Sequence, residues 1–269
     1  MRKLLGKASD GHPEGFELKK ADILLEHTRR TFWGWLTRLG TRNYWNHTLM
    51  VHDVQDMGQG YLKITVLDPR MNQILIKDVA DYFKGLRDYD VGVRRLEQEW
   101  FQSDGDAEGR RYLTLVANAA LEQTDIKHDS RLVWKMVREA IIVYRFLFQK
   151  AVRPKSKKGR KPVRRPLNAN AYSCSGFLQW SYYQGTARMV AEGKLAAARL
   201  QDVILDPRLG EEASDYDLLS ITPAALAKSD KLSWKYLIKD GLVWAVSSEE
   251  DVEAVLKAAK SSESPDSRV

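Results

Sequence analysis

The chain of 269 residues has one cysteine, Cys174. A single thiol forms no intramolecular disulfide, and it rules out zinc sites built on paired cysteines. No uninterrupted apolar run approaches the roughly 20 residues that a membrane-spanning helix needs. The opening stretch MRKLLGKASDGHPEG is basic, but Leu4 and Leu5 are far short of a secretory apolar core. The expectation is a soluble, cytoplasmic protein. A glycine-rich phosphate loop and internal repeats are also missing, so neither nucleotide-binding nor solenoid architectures find support. Histidine is scarce, with five in all, which narrows the search for a base or a metal ligand.

What is present is a globular composition. Hydrophobic residues make up 43% of the chain, with 8 tryptophans, enough for a sizeable core rather than a disordered chain. The net charge of +7 is concentrated in one place. The stretch RPKSKKGRKPVRRP, 153 to 166, holds eight positive residues and no negative one. Taking these eight away leaves −1, so the basicity is one tract and not a basic domain face. Its three prolines and one glycine predict an exposed loop. Such a tract suits either solvation alone or contact with an anionic surface, whether lipid or nucleic acid.

Hydrophobic patterning divides the chain. FELKKADILL ends in an apolar strand, and TRRTFWGWLTRLGTR (28 to 42) spaces Phe32, Trp35, Leu36 and Leu39 as a helix. NHTLMVHDV and GYLKITVLD predict an antiparallel hairpin, NQILI a third strand, and KDVADYFKGL a following helix. Next come DVGVRRLEQEWF, GRRYLTLVANAALEQT and DSRLVWKMVREAIIVYRFLFQK, all three read as helices. After the basic tract stand a helix from Cys174, the segment EGKLAAARLQDVIL, and SITPAALAKS with Thr222 as N-cap and Pro223 at the first helical position. WKYLIKDGLVWAV predicts a hairpin turning at Asp240-Gly241. The tail from 249 to 269 predicts a short capped helix followed by disordered polar residues.

Cys174 lies in YSCSGF at the start of a predicted helix. There the unpaired N–H groups and the positive dipole end stabilise both a thiolate and a developing oxyanion. Ser173 is placed to cap the helix, and Ser175 and Gly176 are small enough for a substrate to approach. The alternative is a buried cysteine that only fills space. A nucleophile needs a base, and His12, His27, His47, His52 and His128 are the candidates. His12 and His27 lie in or near the polar N-terminal stretch, and His128 in a predicted turn. His47 starts a β-run and His52 ends it; their offset of five places them on opposite faces of a strand, a poor metal pair.

In chain order, ADILL followed by a helix, YWNHTLMV, the strand YLKITVLD and, much later, AYSCSGFLQWSYY resemble the permuted papain-fold cysteine hydrolases of the NlpC-like superfamily, closest to its YiiX-like branch. The resemblance runs from about Ala21 to Ser248, where SITPAALAKSDKLSWKYLIKDGLVWAV is similar to the closing segment of that family. Its members carry the histidine early on a strand and the cysteine late at a helix start, inverted relative to papain. That order implies Cys174 as nucleophile and His47 as general base, with Asp22, before the first strand, in a structural role. The family often has a glutamate near the end of the strand after the histidine; here the best acid is Asp68, and Thr65 is the weaker polar choice.

The resemblance implies an α+β, permuted papain-like fold: an antiparallel β core with packed helices in a single catalytic domain over residues 14 to 248. A helical insertion at about 87 to 150 and the basic loop 153 to 166 lengthen the usual connection. The implied activity is that of a cysteine hydrolase or acyltransferase acting on an amide or ester-type bond in a peptide, cell-wall or acyl-lipid substrate, with no cofactor and no metal. Two rivals are an inactive binding protein on the same fold and an anionic-lipid or nucleic-acid binder using the basic tract.

Overall fold

Alternating residues of β-branched and apolar type build the first strands. The structure, a computed structural model, describes residues 17–28, 44–58, 62–70, 74–79, 89–98, 107–121, 173–210, 213–240 and 242–262. After β1 (Ile23–Thr28), each of β2 (His47–Asp56), β3 (Leu62–Pro69) and β4 (Ile74–Asp78) pairs antiparallel with the strand before. β5 (Tyr89–Leu96) returns to the free side of β1, and β6 (Leu232–Lys239) and β7 (Leu242–Ala245) extend the sheet beyond it. The result is one seven-stranded antiparallel sheet in the order β4-β3-β2-β1-β5-β6-β7. The molecule is thus of the α+β class.

Successive side chains leave a strand on opposite faces, and both faces of this sheet are apolar. Ile23, Leu25, Met50 and Leu67 join the main core with the helices, whereas Leu24, Leu49, Val51, Val66, Val91, Val93 and Ile238 form a second core. The helices are α1 (Ala107–Leu121), α2 (Cys174–Ala191), α3 (Asp215–Leu219), α4 (Pro223–Ala227) and α5 (Glu249–Ser262), with a 3-10 helix at Ala197–Val203. α2 is buried on nearly all sides, as expected of a helix without a polar face. Its Tyr182 hydroxyl donates to the Ala21 carbonyl at the head of β1 (2.5 Å). On its other side Gly185 lies so close to Val116 of α1 that an added Cβ would stand 2.6 Å from the Val116 side chain.

Local signals hold where a specific residue does a specific job. Thr222 caps α4 through Ala225 N–H, with Pro223 at the helix start. Lys239 pairs directly with Leu242, and Asp240 adopts φ +51°, the left-handed conformation that a tight hairpin turn needs. At the head of α5, Ser248 Oγ accepts from Asp251 N–H, and the Asp251 carboxylate accepts from the N–H groups of Ser247 and Ser248.

The structure corrects the helical reading of DVGVRRLEQEWF. Tyr89–Leu96 is β5, a strand inside the sheet and buried along most of its length. The span 87–150 therefore begins with a sheet strand, and α1 is its described helix. Lys77 and Asp78, expected to open a helix, instead close β4. The predicted helices over 28–42 and 129–150, the basic tract 153–166 and the last seven residues lie wholly or mostly outside the described residues. Among those described, no helix is long and apolar enough to cross a membrane.

Candidate active site

The head of α2 is built by its cap. Ser173 Oγ accepts from Gly176 N–H (2.9 Å) and donates to the Ile221 carbonyl (2.8 Å), so one hydroxyl ties the helix start to the segment before α4. Ser173 N–H donates to the Leu219 carbonyl, and the Ser173 carbonyl accepts from Phe177 N–H. Neither bond uses the N–H of Cys174 or Ser175. Gly176 is required here by close approach, because a Cβ would meet the Leu219 carbonyl oxygen at 1.8 Å. Cys174 is the first residue of the helix and is only partly buried.

His47 is the first residue of β2, and its Nε2 lies 2.8 Å from Asp68 Oδ1 near the end of β3. Asp68 is fully buried while His47 keeps 16% of its side chain exposed. The other Asp68 oxygen accepts from Arg70 Nε (2.7 Å) and Lys77 Nζ (3.3 Å). A carboxylate so held accepts a hydrogen bond from Nε2–H, which leaves Nδ1 as the nitrogen for the thiol. The Cys174 thiol lies beside this imidazole, close enough for the bond and charge of His47 to act on its titration, and its Sγ is 3.9 Å from the Ser175 hydroxyl.

These contacts set the charge states. Burial works against a charged His47, yet its hydrogen bond to Asp68 and the bond and charge of Cys174 outweigh it and lift the imidazole to about 10. Burial would raise Asp68, but the His47 bond and the cations His47 and Arg70 bring it down to about 2. The Cys174 thiol is likewise pushed up by burial and pulled below its ordinary value by the His47 bond and charge. Each partner thus favours the charged form of the other.

Of the residues singled out in the sequence, Cys174, His47 and Asp68 are therefore brought together. Thr65 is not: it pairs with Asp53, farther along β2. Asp22 is fully engaged elsewhere, with Arg95 on both oxygens at 2.7 Å and Lys19 N–H on one of them. His27 stacks on Tyr44 and bonds its carbonyl. His52 lies at a bulge in β2, where the alternation argument breaks down; length along the strand separates it from His47, and its charged neighbours are Asp53 and Lys20. His12 and His128 fall outside the described residues.

The sequence reading missed Arg70 and Lys77, the cations on Asp68, and it missed Glu26. Glu26 is 1% exposed in β1 and pairs directly across the sheet with His47. Its signal was present: a lone acid in the apolar run ILLEH. Among the described residues no group of three His, Cys, Asp or Glu side chains is arranged to hold a metal ion. The chain matches no known family model and no curated protein.

Proposed function

We propose that this protein is a cysteine hydrolase or acyltransferase on a permuted papain-like fold of the NlpC-like superfamily, YiiX-like branch. One observation carries the reading: a thiol at a helix start, an imidazole and a buried carboxylate come together from three separate elements, with the imidazole bonded to the carboxylate at 2.8 Å and acting on the titration of the thiol. That is the nucleophile, base and orienting acid of acyl transfer.

The steps follow from the charge states. His47 takes the thiol proton, and the Cys174 thiolate attacks the carbonyl carbon and forms the C–S bond. The oxyanion is received by the N–H groups of Cys174 and Ser175, at the positive end of α2. The imidazolium passes its proton to the leaving nitrogen or oxygen, whose bond to carbon then breaks, leaving acyl-Cys174. Water gives a proton to His47 and attacks the thioester; the thiolate leaves and the thiolate–imidazolium pair is restored. Asp68 holds the ring in one tautomer throughout. Candidate substrates are peptide, cell-wall and acyl-lipid amides or esters.

Alkylation tests the pair without knowing the substrate. A free thiol has a pKa near 8.5, so iodoacetamide at pH 6 should label native Cys174 much faster than the unfolded chain. His47→Ala should slow the native reaction at least tenfold, roughly one unit or more of thiol pKa, while His52→Ala leaves it unchanged. Equal, slow labelling of the wild type and His47→Ala would sink the proposal.

A further inference from the structure

We propose that Glu26 is a positioning residue of this site, a buried carboxylate that acts through His47 to hold the imidazolium and, with it, the Cys174 thiolate. The inference rests on the reading of Cys174 and His47 as a working pair. Glu26 and His47 are direct cross-strand partners, so their side chains leave the sheet on the same face with Cβ atoms about 5 Å apart.

Burying a carboxylate is costly unless both oxygens find partners, and elsewhere this fold provides them. Asp22 takes Arg95 on both oxygens, and Asp206 takes Arg208 on both. Asp68 divides its oxygens between His47 and two cations. Glu26 is the exception. Its Oε1 accepts from the Thr28 hydroxyl, and its Oε2 has no hydrogen-bond partner among the described residues. The backbone around it is nonetheless pinned: Asn46 N–H donates to the Glu26 carbonyl (2.9 Å), and Thr28 N–H donates to Asn46 Oδ1 (3.1 Å). The residue preceding His47 is thereby tied to Glu26 and its neighbour. A half-satisfied acid on so firmly held a frame is a charge kept for what lies opposite.

The charged groups around it fit that role. His47 lies across β2, Asp68 and Arg70 at the end of β3, Lys77 behind Asp68 on β4, Tyr89 near Arg70 on β5, and Cys174 at the head of α2. Burial raises the Glu26 carboxyl, and Asp68 adds to this; the His47 charge, the Thr28 bond and Arg70 favour ionisation. Glu26 and His47 accordingly support each other: an ionised carboxylate favours imidazolium, and imidazolium favours the carboxylate. Protonating Glu26 at low pH weakens the imidazolium, and the thiol then regains its proton.

The test is the pH dependence of iodoacetamide alkylation of the full chain from pH 4 to 10, for wild type, Glu26→Gln, Thr28→Val and His47→Ala with and without Glu26→Gln. Glutamine keeps the volume and removes only the charge. Glu26→Gln should therefore move the midpoint of the alkylation profile up by about one pH unit, slowing labelling at pH 6 roughly tenfold, with the high-pH plateau and the thermal midpoint retained. Thr28→Val, which removes a donor that stabilises the ionised carboxylate, should shift the profile in the same direction by less. It remains informative if Glu26→Gln does not fold. In the His47→Ala background Glu26→Gln should change nothing. A wild-type thiol with a low midpoint that neither variant moves would overturn the role of Glu26 alone. A wild-type midpoint at the free-thiol value would overturn the catalytic pair and this inference together.

Discussion

Asp68 divides its two oxygens between different tasks, one for the ring of His47 and one for Arg70 and Lys77. The cations keep the carboxylate charged, and the charge keeps the ring oriented. Under the proposed function, Asp68→Asn should leave the fold intact and reduce turnover of an acyl substrate roughly 10³- to 10⁴-fold, the scale of losing an orienting carboxylate. The pair also predicts a pH dependence of stability. His47 rises to about 10 in the folded protein, so its contribution is complete below its ordinary 6.5 and is lost as pH climbs towards 10. Asp68 falls to about 2, so its contribution is present above its ordinary 3.8 and is lost as pH drops through 2. Urea midpoints of wild type against His47→Ala should thus differ most between about pH 4 and 6.5. An unchanging difference from pH 4 to 10 would argue against the ion pair. Cys174 was legible from its helix start and His47 as one of five histidines, at a strand start; the choice of His47 and of Asp68 came from the family resemblance. Glu26 showed only as a lone acid in ILLEH, and its place opposite His47 depends on strand register, which no local pattern specifies.

Among the elements, α2 is the most constrained. Its first turn is fixed by one serine hydroxyl and its middle by a helix–helix contact with no room for a methyl group. Ser173→Ala removes the cap on Gly176 N–H and should cost about 1 to 2 kcal/mol, read from urea unfolding. It should also slow Cys174 alkylation, since the helix start loses its anchor to Ile221. Gly185→Ala forces α1 and α2 apart at Val116 and should destabilise by about 1 to 3 kcal/mol, as overpacking does; no change in the unfolding midpoint would mean the two helices have slack. Sequence patterns identified elements well where a cap, a proline or a turn residue marks the boundary, as at Thr222-Pro223 and Asp240. They failed at β5 for a physical reason. A strand buried on both faces shows no polar–apolar alternation, and the flanking charges of VRRLEQE imitate a helix surface.

At the scale of the whole molecule, the sheet order places β1 and β2 at the centre, with β5 to β7 added on the side of β1 away from the hairpin. The basic tract stands apart from this arrangement in the sequence, and the chain without it is close to neutral. Replacing residues 155 to 165 by a Gly/Ser linker should leave the thermal midpoint nearly unchanged and abolish salt-sensitive binding to anionic vesicles or polynucleotides. Loss of folding would make the tract a structural element, and binding that survived would place the anion-binding surface elsewhere.

The distribution of the site along the chain has a consequence for biosynthesis. Glu26, His47 and Asp68 leave the ribosome first, and the thiol follows about a hundred residues later. A partly made polypeptide that ends before α2 holds an imidazole and its acids but nothing for them to activate. Even after Cys174 emerges, its thiol stays an ordinary one until α2 docks on the finished strands and Ser173 finds Leu219 and Ile221, residues translated still later. Under the proposed function, reactivity is therefore timed by translation, since the parts that meet at Cys174 come together only after the segment through Ile221 has been made.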